Sequence, residues 1–309
     1  MSLGNVSVII PMYNSETTIE RALESVLYQT YPVSEIIVVN DGSTDSSASI
    51  VSDYGKGVKL VNMSNHGAAS ARNVGIKHSS HEYIAFLDAD DVWSKHKIMI
   101  QLKALNQEKD AGLVKCDSVV TDEEGFVDAF LTNEKNLNFS VRSRILDFDE
   151  VFMKPYLGTP NVVIRRELLN ALGGFDETLL KAEDVDLWIR ACYLSKCIYV
   201  PRKLTYIVRQ ESSLCSKDGL PTYEYHLRVL RKFCESNKQF CKDNADLIDK
   251  SFAELYLMWG RSELAGGWFN KSLTLFNESM KKSFKLESLF LACKAFLYDI
   301  RDKMLNRCG

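Results

Sequence analysis

The chain has 309 residues, of which 46% are hydrophobic and 26% are charged, a composition that fits a globular protein and excludes an intrinsically disordered one. Its formal net charge of −3 gives no support to nucleic-acid binding. The 8 cysteines form no C-x-x-C pair, and there is no signal peptide and no apolar stretch of about 18 residues, so we expect reduced thiols and a cytoplasmic protein.

Strand and helix patterns alternate through the first part of the chain. The strand-like runs lie at 6–10, 35–39, 58–61 and 83–87, and the helical patterns at 19–27 and 68–77. The runs are short and apolar, whereas the helical patterns repeat apolar residues at spacings of three and four. This alternation predicts a parallel sheet with helices on both faces, as in a Rossmann-like nucleotide-binding domain.

Two of the predicted strands end in acidic residues. Asp41 follows the second strand at a glycine-containing turn, and Asp88 and Asp90 follow the apolar run 83–87. Open α/β sheets bind ligands at the carboxyl ends of their strands, so these side chains are expected in the binding crevice. Asp88 and Asp90 flank one small residue and can offer oxygen ligands to a divalent cation, which in turn can hold a diphosphate. Acidic loop ends that are merely solvated would give the same pattern.

Two further positions combine charge with a predicted helix. Arg72 lies among alanines on the helix of 68–77, where small neighbours allow a ligand to approach and the planar guanidinium suits base or phosphate oxygens. Glu183 and Asp184 begin a helical pattern, whose positive N-terminal end favours their ionised forms. A surface ion pair for Arg72 and simple helix capping by the acidic pair are the alternatives.

The sequence changes character near its C-terminal third and predicts an α-helical extension over 220–309. From Lys217 onward Lys and Arg exceed Asp and Glu by 4, whereas the preceding part has 7 more acidic than basic residues. A mildly basic tail on an acidic body is compatible with peripheral contact with the inner face of a membrane, although a solvated helical face is the simpler explanation.

Six polar or glycine-containing segments follow one another in a specific order. They are P-M-Y-N-S-E at 11–16, V-N-D-G-S-T-D at 39–45, N-H-G-A-A-S-A-R-N-V-G at 65–75, L-D-A-D-D at 87–91, G-G-F-D-E at 173–177 and A-E-D-V-D-L-W-I-R at 182–190. Together they closely resemble the family-2 inverting glycosyltransferases of the GT-A fold. The resemblance implies a catalytic domain over 5–215, with a mostly parallel central sheet, a nucleotide-sugar half at 5–91 and an acceptor half at 92–215.

The resemblance implies a nucleotide pocket in the loops that follow the first two strands. The matching positions are Pro11, Tyr13, Glu16 and Asp41, and Arg72 is expected beside them. A carboxylate at Asp41 can accept the N–H of a uracil-type base, and Tyr13 can stack on that base. A UDP-sugar is therefore the favoured donor, with GDP and dTDP left open.

The resemblance also implies a divalent cation and one catalytic carboxylate. Asp90 is the expected direct ligand of Mn²⁺ or Mg²⁺, with Asp88 at the ribose or at a metal-bound water. The metal neutralises charge on the departing nucleoside diphosphate. The family places its general base at the Glu183–Asp184 pair, and Asp184 is expected to remove the proton from the acceptor hydroxyl during a single in-line displacement.

One segment departs from the family pattern. Many relatives carry a histidine near the end of the catalytic domain that can complete the metal shell, but here Arg209 stands close to that position. Arginine stays protonated and cannot ligate a metal, although it can hold the diphosphate. The number of protein ligands to the metal therefore stays open.

Other classes of protein fit less well. A sugar nucleotidyltransferase or a dinucleotide-dependent dehydrogenase would need a glycine-rich loop after the first strand, and residues 11–16 contain no glycine. A non-catalytic nucleotide-sugar-binding or scaffold protein with a partner-binding helical tail is the main alternative. We expect an inverting, metal-dependent glycosyltransferase that acts on a hydroxyl-bearing glycan or lipid-linked acceptor in cell-surface polysaccharide or glycan synthesis.

Overall fold

The computed structural model describes residues 3–122, 142–154, 157–208 and 222–305. The chain divides into two compact units. The first contains Met1–Val151 and Tyr156–Asp218, and the second contains Phe152–Pro155 and Gly219–Gly309.

Strands and short helices alternate up to residue 208. The strands are β1 (Val6–Met12), β2 (Glu35–Asp41), β3 (Lys59–Met63), β4 (Tyr83–Phe86), β5 (Val92–Trp93), β6 (Ala111–Thr121), β7 (Arg144–Leu146), β8 (Val162–Arg165) and β9 (Lys196–Val208). The helices are α1 (Ile19–Leu27), α2 (Ser47–Asp53), α3 (Ala68–His78), α4 (Lys97–Gln107), α5 (Phe148–Met153), α6 (Arg166–Leu172) and α7 (Glu183–Leu194). Two 3₁₀ turns lie at Gly55–Gly57 and Thr159–Asn161.

The described strands form one sheet in the order β3-β2-β1-β4-β8-β6-β9-β5, with β7 also paired to β9. β1 is parallel to β2 and to β4, and β2 is parallel to β3. The chain therefore runs outward from β1 to β3 and then crosses back to the other side of β1. Such a reversal separates the loops after β1 and β4 and opens a crevice at their carboxyl ends.

Residues of β1 alternate between two layers of the core. Val8 and Ile10 belong to one buried cluster with Leu23 of α1, whereas Ile9 belongs to another with Phe86. This is the two-residue period of a strand that is covered on both faces. Gly75 permits the closest approach, because a Cβ there would lie 2.3 Å from Cγ2 of Ile9. Helix α3 is thus seated directly on β1.

The predicted fold class, an α/β GT-A-type domain with a helical extension, is confirmed. The sheet is parallel from β3 to β4, whereas β8 is antiparallel to both β4 and β6. This mixed second half comes from the weakly patterned region after residue 106. In that region the sequence predicts one or two strands around 112–120 and strand-like runs at 157–164 and 198–208, but it gives neither their direction nor their order in the sheet.

The second unit is helical. Its helices are α8 (Thr222–Ser236), α9 (Lys238–Asp243), α10 (Ala245–Ala265), α11 (Phe269–Lys282) and α12 (Leu286–Leu305). Leu257 of α10, Phe276 of α11 and Ala295 of α12 share one buried cluster. Over the ranges that the structure describes, no helix is both long and apolar enough to cross a membrane.

Candidate active site

The loops after β1 and β2 are joined by hydrogen bonds. Asn14 adopts a left-handed conformation, with φ of 48°, and its Oδ1 accepts the backbone N–H of Thr44 at 2.8 Å. The Glu16 carboxylate accepts the N–H of Ser46 at 3.0 Å. Tyr13 projects from this pair of loops with 46% of its surface exposed. The predicted positions Pro11, Tyr13 and Glu16 thus lie in or just after β1, where Glu16 ties the loops together and the Tyr13 ring is accessible.

Asp41 ends β2 with a buried carboxylate that orders a third loop. Its two oxygens accept the backbone N–H groups of His66 and Gly67, each at 2.8 Å. Each carboxylate oxygen has a second lone pair, so Asp41 keeps capacity to accept an N–H from a base. The sequence predicted the position of Asp41 at the strand end but did not predict its two backbone partners.

A buried arginine connects the metal motif to the helix that carries the acidic pair. Arg72 on α3 donates from Nη2 to Asp88 at 2.8 Å and from Nη1 to Glu183 at 2.7 Å. Its guanidinium also lies 5.3 Å from the centre of the Phe175 ring. Burial alone would lower the pKa of Arg72, but Asp88 and Glu183 raise it, so the group stays charged. Arg72 therefore holds three separate segments of the chain in one place.

The three acidic side chains after β4 repel one another. Burial, and then the neighbouring Asp88, raise the pKa of Asp90. Burial and the charges of Asp88 and Asp90 raise the pKa of Asp91 still further, even though its carboxylate accepts the backbone N–H of Val208. Crowded carboxylates of this kind are stabilised when a cation binds, because its positive charge offsets their repulsion.

Asp184 is the acidic group whose pKa suits a general base. Burial, followed by the charge of Glu183, raises the pKa of Asp184 to about 6, while Arg72 acts in the opposite direction. Asp184 also accepts the N–H of Val185 at 2.8 Å. A carboxylate with a raised pKa is a stronger base than an exposed aspartate and is still ionised at neutral pH.

The backbone before the acidic pair is held in an unusual conformation. Ala182 adopts φ of 60°, a left-handed geometry that alanine rarely takes, directly before α7 begins at Glu183. Strain of this kind persists only where surrounding contacts fix it, and it is concentrated at functional sites. Arg190 ties α7 to the turn that follows α6, since it pairs with Asp186 and donates to the carbonyl oxygens of Leu172 and Gly174.

Sequence reasoning did not identify Asn73 as a residue of the site. Its Nδ2 donates to the carbonyl oxygen of Phe175 at 2.8 Å, and its Oδ1 accepts the N–H of Phe175 at 2.9 Å. Gly174 makes this pairing possible, because a Cβ there would lie 2.5 Å from Oδ1 of Asn73. Asn73 and Gly174 lie in two of the six segments that carry the family resemblance. Their place in those segments was the signal from which sequence reasoning could have identified them.

Trp188 lies in the core rather than on the wall of a crevice. Its ring is fully buried with those of Phe86 and Phe175, at centroid distances of 6.4 and 6.0 Å. The face of α7 that carries Trp188 therefore anchors the helix. Its first turn presents Glu183 and Asp184.

The acidic residues fit a cation that receives further ligands from its diphosphate. Across the described ranges, no group of three or more His, Cys, Asp or Glu side chains is arranged to hold a metal ion. Asp88 and Asp90 by themselves can offer one or two oxygen ligands. Arg209 lies outside the described residues, so its expected place beside the diphosphate stays a prediction.

Comparison with known proteins identifies a family and a fold. Residues 7–173 match the family model described as Glycosyl transferase family 2. A similar curated protein is the UDP-Glc:alpha-D-GlcNAc-diphosphoundecaprenol beta-1,3-glucosyltransferase WfgD of Escherichia coli, 31% identical over 186 residues that cover 60% of this chain and 68% of WfgD. The chain spans between 17% and 91% of the length of five rickettsial relatives, and less than two thirds of four of them.

Solved structures show the same fold at low sequence identity. Residues 1–349 of S. aureus TarS in complex with UDP-GlcNAc align with a TM-score of 0.61 and 19% identity, over 93% of this chain and 91% of that one. The mannosyltransferase PcManGT from Pyrobaculum calidifontis, in complex with GDP-Man and Mn²⁺, aligns with a TM-score of 0.58 and 20% identity, over 97% and 84%.

Proposed function

The chain belongs to glycosyl transferase family 2, and from this premise we propose that it is an inverting glycosyltransferase. It moves one sugar from a nucleoside diphosphate donor to a hydroxyl group of an acceptor. The observation that carries the proposal is the Asp88–Arg72–Glu183 bridge, because it joins the carboxylates after β4 to the acidic pair of α7. A single displacement requires the groups that hold the donor and the base that activates the acceptor to belong to one site.

The donor proposed is a UDP-sugar, held by Pro11, Tyr13, Glu16, Asp41 and the Arg72–Asp88 pair. The exposed ring of Tyr13 is available to stack on a base, and Asp41 keeps acceptor capacity for an N–H. Arg209 is proposed to contact the diphosphate. WfgD is named for UDP-Glc and one TarS structure holds UDP-GlcNAc, which supports a uracil base, whereas the GDP-Man complex of PcManGT keeps GDP open.

Mn²⁺ or Mg²⁺ is the proposed cofactor, with Asp90 as direct ligand and Asp88 beside it. A bound cation would neutralise charge that develops on the departing diphosphate. The raised pKa of Asp90 supports this role, since a crowded carboxylate gains from a positive partner. The PcManGT structure is a complex with GDP-Man and Mn²⁺, which supports a divalent cation as the class of cofactor.

Asp184 is the proposed general base. Its ionised carboxylate would take the proton from the attacking hydroxyl, and its pKa of about 6 leaves it ionised at neutral pH. Glu183 is proposed as a positioning residue, because its carboxylate is already engaged by Arg72.

The acceptor is proposed to be a glycan or a lipid-linked sugar in cell-surface polysaccharide assembly. The name of WfgD, whose acceptor is a sugar diphosphate lipid, supports this class. Peripheral contact of the basic C-terminal region with the inner face of a membrane is part of the same proposal.

Nucleotide binding measured by thermal shift tests the donor site. UDP, GDP, dTDP and CDP are compared with and without Mn²⁺, on the unmodified chain, on Asp90→Ala and on Asp53→Ala, an exposed control at the end of α2. We expect UDP to raise the melting temperature only with Mn²⁺, and Asp90→Ala alone to lose the effect. No stabilisation by any nucleotide would refute an intact donor site and favour the scaffold alternative.

A further inference from the structure

Helix α1 and the residues just after it carry three polar side chains at a spacing of four residues. Arg21 and Ser25 lie on the helix, and Gln29 follows two residues after its end. Residues four apart lie on the same side of a helix, and Nε2 of Gln29 donates to the carbonyl oxygen of Ser25 at 2.9 Å, which keeps Gln29 on that side. Arg21 and Ser25 are half-buried and Gln29 is buried, whereas Glu20 and Glu24 of the same helix are exposed. We name Arg21, Ser25 and Gln29 the polar stripe of α1.

The polar stripe bonds to the backbone of residues 90–98, the segment that contains Asp90 and the residues after it. Arg21 donates from Nη2 to the carbonyl oxygen of Asp90 at 3.2 Å. One helical turn further on, Oγ of Ser25 accepts the N–H of Trp93 at 3.2 Å. The member of the stripe nearest to the acidic motif is therefore Arg21, and it contacts the residue that we propose as the metal ligand.

Gln29 holds the next part of the segment. Its Nε2 donates to the carbonyl oxygen of Ser94 at 2.7 Å, and its Oε1 accepts the N–H of Ile98 at 3.1 Å. On the other side, the N–H of Ser94 donates to the carbonyl oxygen of Leu204 in β9 at 3.0 Å. The segment is therefore held between α1 and β9.

These bonds matter because the segment has little regular structure of its own. It turns at Asp91, whose N–H donates to the carbonyl oxygen of Asp88 at 3.1 Å, and then forms the two-residue strand β5. Backbone N–H and C=O groups that lie outside a sheet ladder need other partners when they are buried. The polar stripe supplies such partners, so the backbone position of Asp90 depends on α1.

The charge of Arg21 and its hydrogen bond have opposite effects on a cation at Asp90. Burial raises the pKa values of Asp90 and Asp91, and the positive charge of Arg21 acts in the opposite direction, so this charge is felt at both carboxylates. A positive charge there repels a second cation. By charge alone, removal of Arg21 would strengthen the binding of a divalent metal.

We propose that Arg21 is a positioning residue for the divalent cation, because its bond to the Asp90 carbonyl oxygen, with the rest of the polar stripe, sets the position of the Asp90 carboxylate. Side chains that orient a metal ligand raise the affinity of the site for its metal. In this role the bond outweighs the opposing charge, so loss of Arg21 weakens the binding of Mn²⁺. The inference rests on the proposed cofactor and adds to it the residue that orients its ligand.

Titration with Mn²⁺ in the presence of UDP tests the proposal, with free Mn²⁺ measured by its electron paramagnetic resonance signal. Arg21→Met should lower the affinity for Mn²⁺ about tenfold or more. The matched control is Arg166→Met, since Arg166 is also half-buried and donates to a backbone carbonyl oxygen, that of His81, just before β4. This control should stay within about twofold of the unmodified chain, because its charge is removed at the opposite end of β4 from Asp90.

A second pair of variants tests the stripe without any change of charge, and it decides the question if Arg21→Met does not fold. Ser25→Ala removes the acceptor of the Trp93 N–H and should lower the affinity for Mn²⁺. Ser52→Ala removes an exposed hydroxyl on α2 and should not change that affinity. In both cases the hydroxyl also donates to a carbonyl oxygen of its own helix, so the loss of this local bond is matched.

The results that would overturn the proposal differ in what else they exclude. Equal or tighter binding of Mn²⁺ by Arg21→Met would show that Arg21 acts through charge or through stability alone. Equal losses in Arg21→Met and Arg166→Met, or in the two serine variants, would show a general effect of destabilisation. If the unmodified chain binds UDP with no dependence on Mn²⁺, the proposed cofactor itself is refuted together with the role of Arg21, so the two failures are distinguishable.

Discussion

Arg72 makes contacts that the sequence did not predict. The sequence predicted a guanidinium beside the donor, and the structure shows the same guanidinium engaged between Asp88 and Glu183. Glu183 lies 111 residues away along the chain, so no local pattern could indicate the pairing. The Nε of Arg72 is buried and has no hydrogen-bond partner among the described residues.

Removal of the Arg72 charge should destabilise the fold. Arg72→Met would leave Asp88 and Glu183 without their buried partner, and we expect the free energy of unfolding to fall by about 3–5 kcal/mol. Arg228→Met removes one member of the exposed pair with Glu224 and should cost no more than about 1 kcal/mol. Denaturant titration measures both. A loss of less than about 1 kcal/mol for Arg72→Met would contradict the bridging role.

The pH dependence of transfer should report Asp184. Its pKa is raised to about 6 and the base must be ionised, so the rate should fall as the pH drops through that value. Arg72 holds this pKa down, and Arg72→Lys, which keeps the charge, should move the acid limb less than Arg72→Met. Steady-state rates between about pH 5 and pH 8 measure the limb. A rate that is flat from neutral pH down to about pH 5 would rule out Asp184 as the titrating base.

The turn that directly follows α6 contains two adjacent glycines with different surroundings. Gly173 and Gly174 have φ of 74° and 78°, but only Gly174 faces the Asn73 side chain. Gly173→Ala should cost about 1–2 kcal/mol for the left-handed conformation alone. Gly174→Ala should cost about 1–3 kcal/mol more, because its Cβ displaces Asn73 from Phe175. Melting curves of the pair test this, and equal losses would contradict the close approach.

Local patterns predicted the elements of β1 to β4 because each is short, apolar and bounded by a turn. The run at 157–164 also predicted a strand, but its pattern did not place β8 between β4 and β6, since the antiparallel pairings of β8 join residues that are distant in sequence. Nor could local patterns predict which residues of α12 are buried, because helical periodicity shows that apolar residues recur and does not show which of them pack. Strand-end carboxylates such as Asp41 were predictable from topology alone, whereas their partners were not.

A buried lysine should make the free energy of unfolding rise with pH in the alkaline range. Lys97 is fully buried, its Nζ donates to Gln101 at 2.7 Å, and burial lowers its pKa to about 8 from 10.5. Between these values the unfolded chain binds more protons than the folded one, so this residue alone makes stability rise with pH, by about 1 kcal/mol per pH unit.

Two lysine variants isolate that contribution. Lys97→Met removes the titrating group and should lose the rise, whereas Lys95→Met, at an exposed position two residues earlier, should keep it. The quantity to compare is the free energy of unfolding at about pH 8 and about pH 10 for each variant and the unmodified chain. An identical pH slope in Lys97→Met and the unmodified chain would show that Lys97 does not carry the effect.

In the proposed mechanism, the donor binds at the loops after β1, β2 and β4, and the proton of the acceptor hydroxyl is removed at the start of α7. The most direct test is Asp184→Asn, with the exposed Asp53→Asn as control. UDP binding with Mn²⁺ is measured by calorimetry. Turnover is measured as the UDP released from UDP-glucose or from UDP-GlcNAc. The sugar acceptor is either water or a GlcNAc-diphosphate lipid.

Asp184→Asn should bind UDP within about twofold of the unmodified chain and lose about 10²–10⁴-fold in turnover, because the isosteric amide cannot accept the proton. Asp53→Asn should change neither quantity. Turnover within about tenfold of the unmodified chain, with UDP binding intact, would contradict the assignment of Asp184 as the base and with it the proposed mechanism.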